Sequence, residues 1–464
     1  MMQAGIRPLG HVKAVLSLFG NAAKATGVTL DLRSKSSTST TSTGRNIVLV
    51  EGVRTPFLQY LTDYRNLSNY EVGRMAMEAL KGRTKIPPDE VDYIIFGNVI
   101  AEPTAPNIAR EVARSVGFSD KTPAHTVSMA CISANQAITS AMGLIAGGQA
   151  DTVIAGGVEF MSDVPIRVSR GVRSKLMAFD RAKSLGARIS LAMGALRQFS
   201  LELPAVAEFS TGETMGKSGD RLAAAFEISR REQDEFAIRS HMFAQEASDK
   251  GFLVDIEPVK VPGKSKYVSR DNGIRVSTID KVSKLKPAFV KPHGTVTPAN
   301  ASFLTDGASA CLIMSEEKAL ALGYKPLAYL RDFVYVAQDP KDQLLLGPAY
   351  ATPKLLDKKK LTLNDIDVFE YHEAFAGQLL ANMKAMDSDW FCQTHMSRKK
   401  LGLLPVEKMN LWGGSLSIGH PFGATGVRLV TTAAHRLRKE DGKLALVAAC
   451  AAGGHGHAML VERY

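Results

Sequence analysis

Apolar residues recur with two alternating periodicities from residue 46 onward. Short, nearly continuous apolar runs predict three buried strands, at residues 46–53, 91–99 and 151–157. Apolar positions at helical spacing predict three amphipathic helices, at residues 70–81, 107–116 and 132–146. Strands separated by helices of this length predict a layered α/β protein with a mostly parallel sheet.

The C-terminal part of the chain repeats this order of elements. Residues 87–99 and 363–375 each read as an acidic turn followed by an apolar strand. Residues 122–157 and 411–454 each read as a strand, a turn, a helix of small residues, a glycine and a second strand. The repeat indicates an internal duplication of one α/β unit. Two such halves would bring turns that are far apart in sequence to a common site.

The segment between the two halves has a different composition. Residues 161–292 contain a basic block, a long polar helix and a charged stretch with Gly and Pro, which together predict an inserted loop domain. We therefore expect four regions: a leader at 1–45, an N-terminal half at 46–160 and 293–323, the loop domain at 161–292, and a C-terminal half at 324–464.

Composition limits the classes of protein to which the chain can belong. Apolar residues make up 45% of the chain and charged residues 22%, which argues against wholesale disorder. No run of about 18 or more apolar residues occurs, so no transmembrane helix is expected. Four cysteines in 464 residues do not make a disulfide framework, and the protein is expected to work in the reduced state.

The net charge of +11 is concentrated in two segments. Residues 1–45 are basic, rich in Ser and Thr and nearly free of acids, which is typical of a mitochondrial transit peptide. Residues 164–200 are strongly basic, with apolar residues at helical spacing, which suits either an anionic membrane surface or a solvated helix packed on the protein's own core. The rest of the chain is close to neutral, which argues against a nucleic-acid groove.

Three residues at predicted turns are candidates for chemistry. Cys131 follows an apolar strand and starts a helix, where the helix dipole and free N–H groups would lower its pKa; a buried structural cysteine is the alternative. His420 lies in a glycine-rich turn, as suits a general base. Cys450 ends an apolar strand before glycines. Its C-x4-H-x-H spacing is not that of structural zinc, so no metal is predicted.

Two cysteines and a histidine at turns of a duplicated unit suit acyl transfer followed by carbon–carbon chemistry. The chain also carries six specific motifs: RTPF (54–57), MACISANQA (129–137), AGGVE (155–159), HEAF (372–375), GGSLSIGHPFGATG (413–426) and CAAGGHGHAM (450–459). With these motifs, residues 46–464 resemble the thiolases, most of all the thiolase subunits of mitochondrial fatty-acid-oxidation complexes. The resemblance implies a duplicated five-layered α-β-α-β-α fold with an inserted loop domain.

The resemblance also implies an activity and the residues that perform it. The chain would be a long-chain 3-ketoacyl-CoA thiolase of mitochondrial β-oxidation. Cys131 would attack the 3-keto carbon, His420 would accept the thiol proton, and Cys450 would protonate the acetyl-CoA enolate. His372 stands where most thiolases have an Asn that holds a water of the first oxyanion hole.

Further roles follow from the same resemblance. The backbone amides of Cys131 and Ala452 would form the second oxyanion hole, and Ser302 would contact the pantetheine part of CoA. CoA would be a substrate, and no cofactor is implied. Thr214 stands where many thiolases have a CoA-contacting His, so that role is not transferred.

The resemblance implies a partner, a location and a set of alternatives. We expect a thiolase dimer that associates with a subunit carrying enoyl-CoA hydratase and 3-hydroxyacyl-CoA dehydrogenase activities. It would lie at the matrix face of the inner mitochondrial membrane, with residues 164–200 on anionic lipid. A short-chain acetoacetyl-CoA thiolase uses the same machinery, whereas a ketoacyl synthase lacks the second cysteine. A catalytically idle scaffold or RNA-binding subunit is the alternative from another class.

Overall fold

The structure is a computed structural model that describes residues 44–204 and 207–464. All but the last two residues of the predicted transit peptide (1–45) lie outside the described residues. Within them the chain forms twelve strands: β1 Ile47–Arg54, β2 Leu58–Gln59, β3 Tyr93–Gly97, β4 Ala124–Val127, β5 Thr152–Glu159, β6 Arg167–Val168, β7 Leu201–Glu202, β8 Thr305–Ser315, β9 Ala328–Ala337, β10 Val368–Tyr371, β11 Leu444–Ala451 and β12 His455–Arg463.

The same residues form fourteen α-helices, which include the three predicted from apolar spacing. They are α1 Asn69–Thr84, α2 Ile108–Ser115, α3 Ser133–Ala146, α4 Arg170–Arg181, α5 Leu185–Arg197, α6 Met215–Ala225, α7 Arg230–Asp249, α8 Ile279–Val282, α9 Glu316–Ala321, α10 Gly347–Lys359, α11 Ala376–Met386, α12 Asp389–Met396, α13 Ser415–Ile418 and α14 Thr425–Lys439.

The main sheet repeats one strand pattern in its two halves. Its order is β10-β11-β12-β9-β1-β8-β5-β3-β4, with β2 added to β8. In the N-terminal half, β3 pairs parallel with β5, β5 pairs antiparallel with β8, and β8 pairs antiparallel with β1. In the C-terminal half, β10 pairs parallel with β11, β11 pairs antiparallel with β12, and β12 pairs antiparallel with β9. The halves join where β1 pairs with β9 through two residue pairs. The predicted internal duplication is therefore present in the strand order.

The expectation of a mostly parallel sheet is wrong. Among the described strands, parallel pairing is confined to β3 with β4, β3 with β5, and β10 with β11. The reason is the short turn between β11 and β12, since strands joined by a tight turn pair antiparallel. The corresponding strand of the first half, β8, also runs antiparallel to both of its neighbours.

Helices on and between the two half-sheets complete the predicted α-β-α-β-α arrangement. The central apolar cluster combines α3 and α14 with inward-facing residues of both half-sheets. A second cluster packs α1 and α2 on the outer face of the N-terminal half, and a third packs α10 and α11 on the C-terminal half. Because α3 and α14 share the central layer, the turns that precede them lie close together.

The basic segment forms a helical hairpin outside these layers. Helices α4 and α5 pack on each other, and the short sheet of β6 and β7 closes the base of the hairpin. Within α4 and α5 the side chain of Val172 alone is buried. No helix in the described part of the chain combines the length and the apolar composition needed to cross a bilayer.

Candidate functional site

One cavity brings together most of the residues predicted from the sequence. It has a volume of about 300 Å³, and its lining includes Cys131, Ser302, His420, Cys450 and Ala452. These residues come from the turns before α3 and α14, from the end of β11, and from the segment that precedes β8. Duplication of the α/β unit thus places two thiols and an imidazole around one space.

The turn that carries Cys131 is held in an unusual conformation. Ala130, directly before the cysteine, has a φ of 46°, which is uncommon for a residue with a side chain. The Ser133 hydroxyl braces the turn, because it accepts the Met129 N–H at 2.8 Å and donates to the Ala130 carbonyl at 2.7 Å. Cys131 is therefore fixed at the N-terminus of α3, as predicted.

The thiol of Cys131 is nevertheless neutral at rest. Burial raises its pKa to about 12, and the negative charges of Glu159 and Glu208 add to that effect. The backbone N–H groups of Ala452 and of Cys131 itself point at the sulfur and oppose it. The predicted lowering of the pKa by N–H groups is present, but the cost of burying a thiolate exceeds it.

Cys450 lies at the end of β11, with 1% of its surface exposed. Burial raises its pKa, and the nearby Cys131 thiolate would raise it further. The chain then turns through Gly453 and Gly454, with φ values of 84° and 69°. Ala452 stays outside this left-handed region, so a side chain at that position is compatible with an N–H aimed at Cys131.

His420 is neutral and has a defined tautomer. Its Nδ1 lies 2.7 Å from the Thr425 hydroxyl, which donates its own hydrogen to the Pro421 carbonyl at 3.0 Å. The hydroxyl must therefore accept from Nδ1–H, which leaves the lone pair on Nε2. Burial, His372 and Arg428 lower the His420 pKa well below 6.5. Nε2 has no hydrogen-bond partner among the described residues, so it is free to accept a proton.

The loop that carries His420 is tied to the ends of β3 and β5. The Gly423 N–H donates to the carboxylate of Glu159 at 3.0 Å, and the same carboxylate accepts the N–H groups of Val99 and Ile100. A Cβ on Gly97 would lie 2.8 Å from the Gly423 carbonyl oxygen, so β3 must end in glycine for the loop to come this close. Glu159 belongs to a recognised motif, but sequence reasoning gave it no role. The sequence signal for such a role is an acidic residue at the end of an apolar strand, since a buried charge needs a partner.

His372 lies beside His420. The ring centroids are 4.1 Å apart, and His372 Nδ1 is 3.1 Å from the Ser415 hydroxyl. Burial and then the positive charge of Arg428 lower the His372 pKa to about 3, so this ring is also neutral. The site therefore pairs two uncharged imidazoles, and the Nε2 of each is buried without a hydrogen-bond partner among the described residues.

The remaining lining of the cavity combines two hydroxyl side chains with an apolar wall. Ser302 is positioned by its N–H, which donates to the Ala374 carbonyl at 3.0 Å. Thr214 also lines the cavity, where its hydroxyl caps α6. The apolar wall comprises Val99, Ile100, Met215, Phe289, Leu345 and Phe422. Such a surface suits an aliphatic chain attached to a reacting thioester.

Comparisons with known proteins identify the family of the chain. Residues 47–317 match the thiolase N-terminal domain, and residues 324–463 match the thiolase C-terminal domain. The Bos taurus protein named trifunctional enzyme subunit beta, mitochondrial, is 66% identical over 422 residues, covering 90% of this chain and 89% of the relative. A probable 3-ketoacyl-CoA thiolase of Caenorhabditis elegans is 61% identical over 422 residues, with coverage of 90% and 94%.

A solved structure shares the fold. The crystal structure of human mitochondrial 3-ketoacyl-CoA thiolase in complex with CoA superposes with a TM-score of 0.77 at 31% identity, covering 90% of this chain and 98% of that one. Together with the two domain matches, it confirms the predicted thiolase fold. The chain belongs to the thiolase family.

Proposed function

We propose that this protein is the long-chain 3-ketoacyl-CoA thiolase of mitochondrial fatty-acid β-oxidation, working as the β subunit of a trifunctional complex. It would cleave a 3-ketoacyl-CoA with CoA to acetyl-CoA and an acyl-CoA shortened by two carbons. The observation that carries the proposal is the meeting of Cys131, His420 and Cys450 at one cavity. The names of the relatives point to the same reaction.

In the first step, Cys131 becomes the nucleophile. Its proton passes to Nε2 of His420, and the thiolate attacks the 3-keto carbon. The N–H groups of Cys131 and Ala452 already point at the sulfur, so they are placed to stabilise the alkoxide that forms beside it.

In the second step, the C2–C3 bond breaks. The alkoxide collapses to an acyl-Cys131 thioester, and the bonding electrons move into the enolate of acetyl-CoA. The protonated His420 and the adjacent His372 would bind the enolate oxygen. The Cys450 thiol donates its proton to C2, after which acetyl-CoA leaves and Cys450 remains as a thiolate.

In the third step, a second CoA completes the cycle. Its thiol gives a proton to the Cys450 thiolate, and its sulfur attacks the acyl-Cys131 thioester. The departing Cys131 sulfur takes back the proton held by His420. Every proton and electron pair is accounted for by the two thiols, the imidazoles and CoA, so the reaction requires no metal or resident cofactor. Ser302 would contact the pantetheine arm at the cavity wall.

The apolar wall of the cavity suits an aliphatic chain, and the preferred chain length is the test of the proposal. We expect the rate of CoA-dependent thiolysis, measured for 3-ketoacyl-CoA substrates of increasing length, to be highest for long chains. Preference for acetoacetyl-CoA would favour the short-chain thiolase. Absence of thiolysis at every length would favour an idle scaffold or RNA-binding subunit.

The pH dependence of the reaction tests the electrostatics of His420. Because its pKa lies well below 6.5, Nε2 keeps its lone pair as the pH falls through 6.5. Burial raises the pKa of Glu159 to about 7, so titration of this carboxylate is the change in kcat/KM that we expect between about pH 8 and about pH 6, and Glu159→Gln should make the profile flat. A 3-ketoacyl N-acetylcysteamine thioester is the suitable substrate, since it has no phosphate that titrates there. An inflection near the ordinary histidine pKa that remains in Glu159→Gln would contradict this account.

The partner and the location are also proposed. We propose that the chain assembles as a thiolase dimer with an α subunit that carries the hydratase and dehydrogenase activities, since a relative is named as one subunit of a trifunctional enzyme. Residues 1–45 would direct import into mitochondria, where the complex would lie on the matrix face of the inner membrane.

The α4–α5 hairpin is the surface proposed to bind anionic lipid there. Its apolar side chains are turned outward, with Leu176 and Met177 exposed by 55% and 67% and Leu185 and Leu196 by 76% each. Burial of Val172 alone within the two helices disfavours the explanation that the apolar stripe packs on the protein's own core. Apolar groups in the acyl boundary and basic groups among phosphates are the two contributions that hold such helices on a membrane.

Charge reversal tests the hairpin. Replacing Arg170, Lys175, Arg181 and Arg188 with Glu is expected to release the complex from cardiolipin-containing vesicles in a flotation assay, while thiolysis of a soluble short-chain substrate is retained. A matched control replaces four exposed basic residues elsewhere: Lys325, Lys341, Lys359 and Lys399. Vesicle binding that is equal in the two variants would contradict a lipid-binding role for the hairpin.

A further inference from the structure

A buried arginine lies behind the two histidines. Arg428 of α14 is 1% exposed, and one of its terminal nitrogens donates to the Ser415 hydroxyl at 3.0 Å. The same hydroxyl lies 3.1 Å from Nδ1 of His372. A cation, a hydroxyl and an imidazole therefore form one continuous line, which ends beside the cavity-lining ring of His420. The sequence motifs predicted no role for Ser415 or Arg428.

Counting hydrogens along this line assigns the tautomer of His372. The arginine can only donate, so one lone pair of the Ser415 oxygen is taken. Among the described residues, the hydroxyl hydrogen has one acceptor within hydrogen-bond distance, which is Nδ1 of His372. With Nδ1 accepting, the ring hydrogen must sit on Nε2. His372 therefore presents an N–H where His420 presents a lone pair.

The two histidines are thus held in opposite tautomers by two different hydroxyls. The Thr425 hydroxyl donates its hydrogen to the Pro421 carbonyl and accepts from His420. The Ser415 hydroxyl instead accepts from Arg428 and donates to His372. The difference suits the two rings to different tasks. One must take a proton from Cys131, and the other must donate to the enolate oxygen throughout the cycle.

We propose that Arg428, acting through the Ser415 hydroxyl, is a positioning residue that keeps the Nε2–H of His372 directed at the enolate oxygen. This inference rests on the proposed thiolase function. In the other tautomer, a lone pair would face the developing negative charge, and the oxyanion site would lose one of its two donors. Arg428 also opposes protonation of both rings by its charge.

Both ends of the line are fixed by further buried contacts. On the far side of Arg428, a second terminal nitrogen lies 3.6 Å from the carboxylate of Glu370, which Arg436 holds at 2.8 Å. On the near side, Glu373 accepts the Leu416 N–H at 3.3 Å and so anchors the turn that carries Ser415. The serine hydroxyl therefore has little freedom to turn away from His372.

The test separates enolate chemistry from acyl transfer. Ser415→Ala is expected to lower the rate of long-chain thiolysis by about 10- to 100-fold, which is less than the roughly 100- to 1,000-fold cost of removing an oxyanion donor, because the variant misorients the donor and does not remove it. Exchange of labelled CoA with an acyl-CoA through Cys131 forms no enolate, and it is expected to change less than threefold, roughly the noise of such a comparison. Ser415→Thr keeps the hydroxyl and is expected to restore most of the thiolysis rate.

The control is the neighbouring serine of the same turn. Ser417 is equally buried, but its hydroxyl contacts Ser240 and Gly414 rather than His372. Ser417→Ala should leave the ratio of thiolysis to exchange at the wild-type value. The inference is overturned if Ser415→Ala keeps that ratio, or if thiolysis and exchange fall together. Absence of long-chain thiolysis in the unmodified complex would instead overturn the proposed function.

Discussion

Replacing Cys131 with serine is expected to lower the rate of thiolysis by about 10⁴-fold or more, which is the scale of losing a covalent nucleophile. The hydroxyl of serine has a far higher pKa than a thiol, and His420 is a weak base for removing its proton because its own pKa lies well below 6.5. The fold should persist, because Ser133 and the backbone hold this turn independently of the Cys131 sulfur.

The measurement is the steady-state thiolysis of a long-chain 3-ketoacyl-CoA by the purified complex. Cys392→Ser is the matched control, because this cysteine lies in α12 and its sulfur contacts the carbonyls of Ala385 and Met386 rather than the cavity. That variant should keep its activity, since a hydroxyl can donate to the same carbonyls. Substantial thiolysis by Cys131→Ser would remove Cys131 from the role of nucleophile.

Replacing Cys450 with serine is expected to have the second-largest effect, a fall of about 10³-fold in thiolysis, because the acid that protonates carbon is lost. Cys450 is placed for this task by its position at the end of β11 beside Cys131, and burial keeps it protonated until it is needed. Acylation of Cys131 by an acyl-CoA requires no proton at carbon. It should therefore continue in the variant.

Mass spectrometry of the Cys450→Ser protein after incubation with a long-chain acyl-CoA measures that acylation. We expect one acyl group per chain, and Cys131→Ser treated in the same way should remain unmodified. Absence of an acyl group on the Cys450→Ser protein would contradict the assignment of Cys131 as the nucleophile and Cys450 as the acid that protonates carbon.

The sequence predicted the chemistry of the site better than its electrostatics. Cys131 lies between a strand and a helix, His420 lies in a glycine-rich turn, and Cys450 lies at the end of a strand. Duplication of the α/β unit brings such positions close together. The raised pKa of Cys131 could not be predicted, because it depends on how deeply the turn is covered by elements that are distant in sequence. A helix N-terminus is visible in a sequence, but the burial that outweighs it is not.

Residues that act by positioning other residues also could not be predicted from the sequence. Glu159 ends an apolar strand, and Arg428 lies between Val427 and Leu429 in α14. Each pattern is typical of a buried charge with a partner. The partners are the loop of Gly423 and the hydroxyl of Ser415, which lie on other elements. The same limit explains the sheet, where strand directions depend on the returning strands β8 and β12.

The central claim is that an acyl group, shortened by two carbons, passes through Cys131. The most direct measurement is peptide mapping of the wild-type complex quenched with a long-chain 3-ketoacyl-CoA in the absence of free CoA. The account predicts that the peptide containing Cys131 carries the shortened acyl group, with about one equivalent of acetyl-CoA released per site. An acyl group on another residue, or acetyl-CoA release without acylation of Cys131, would contradict it.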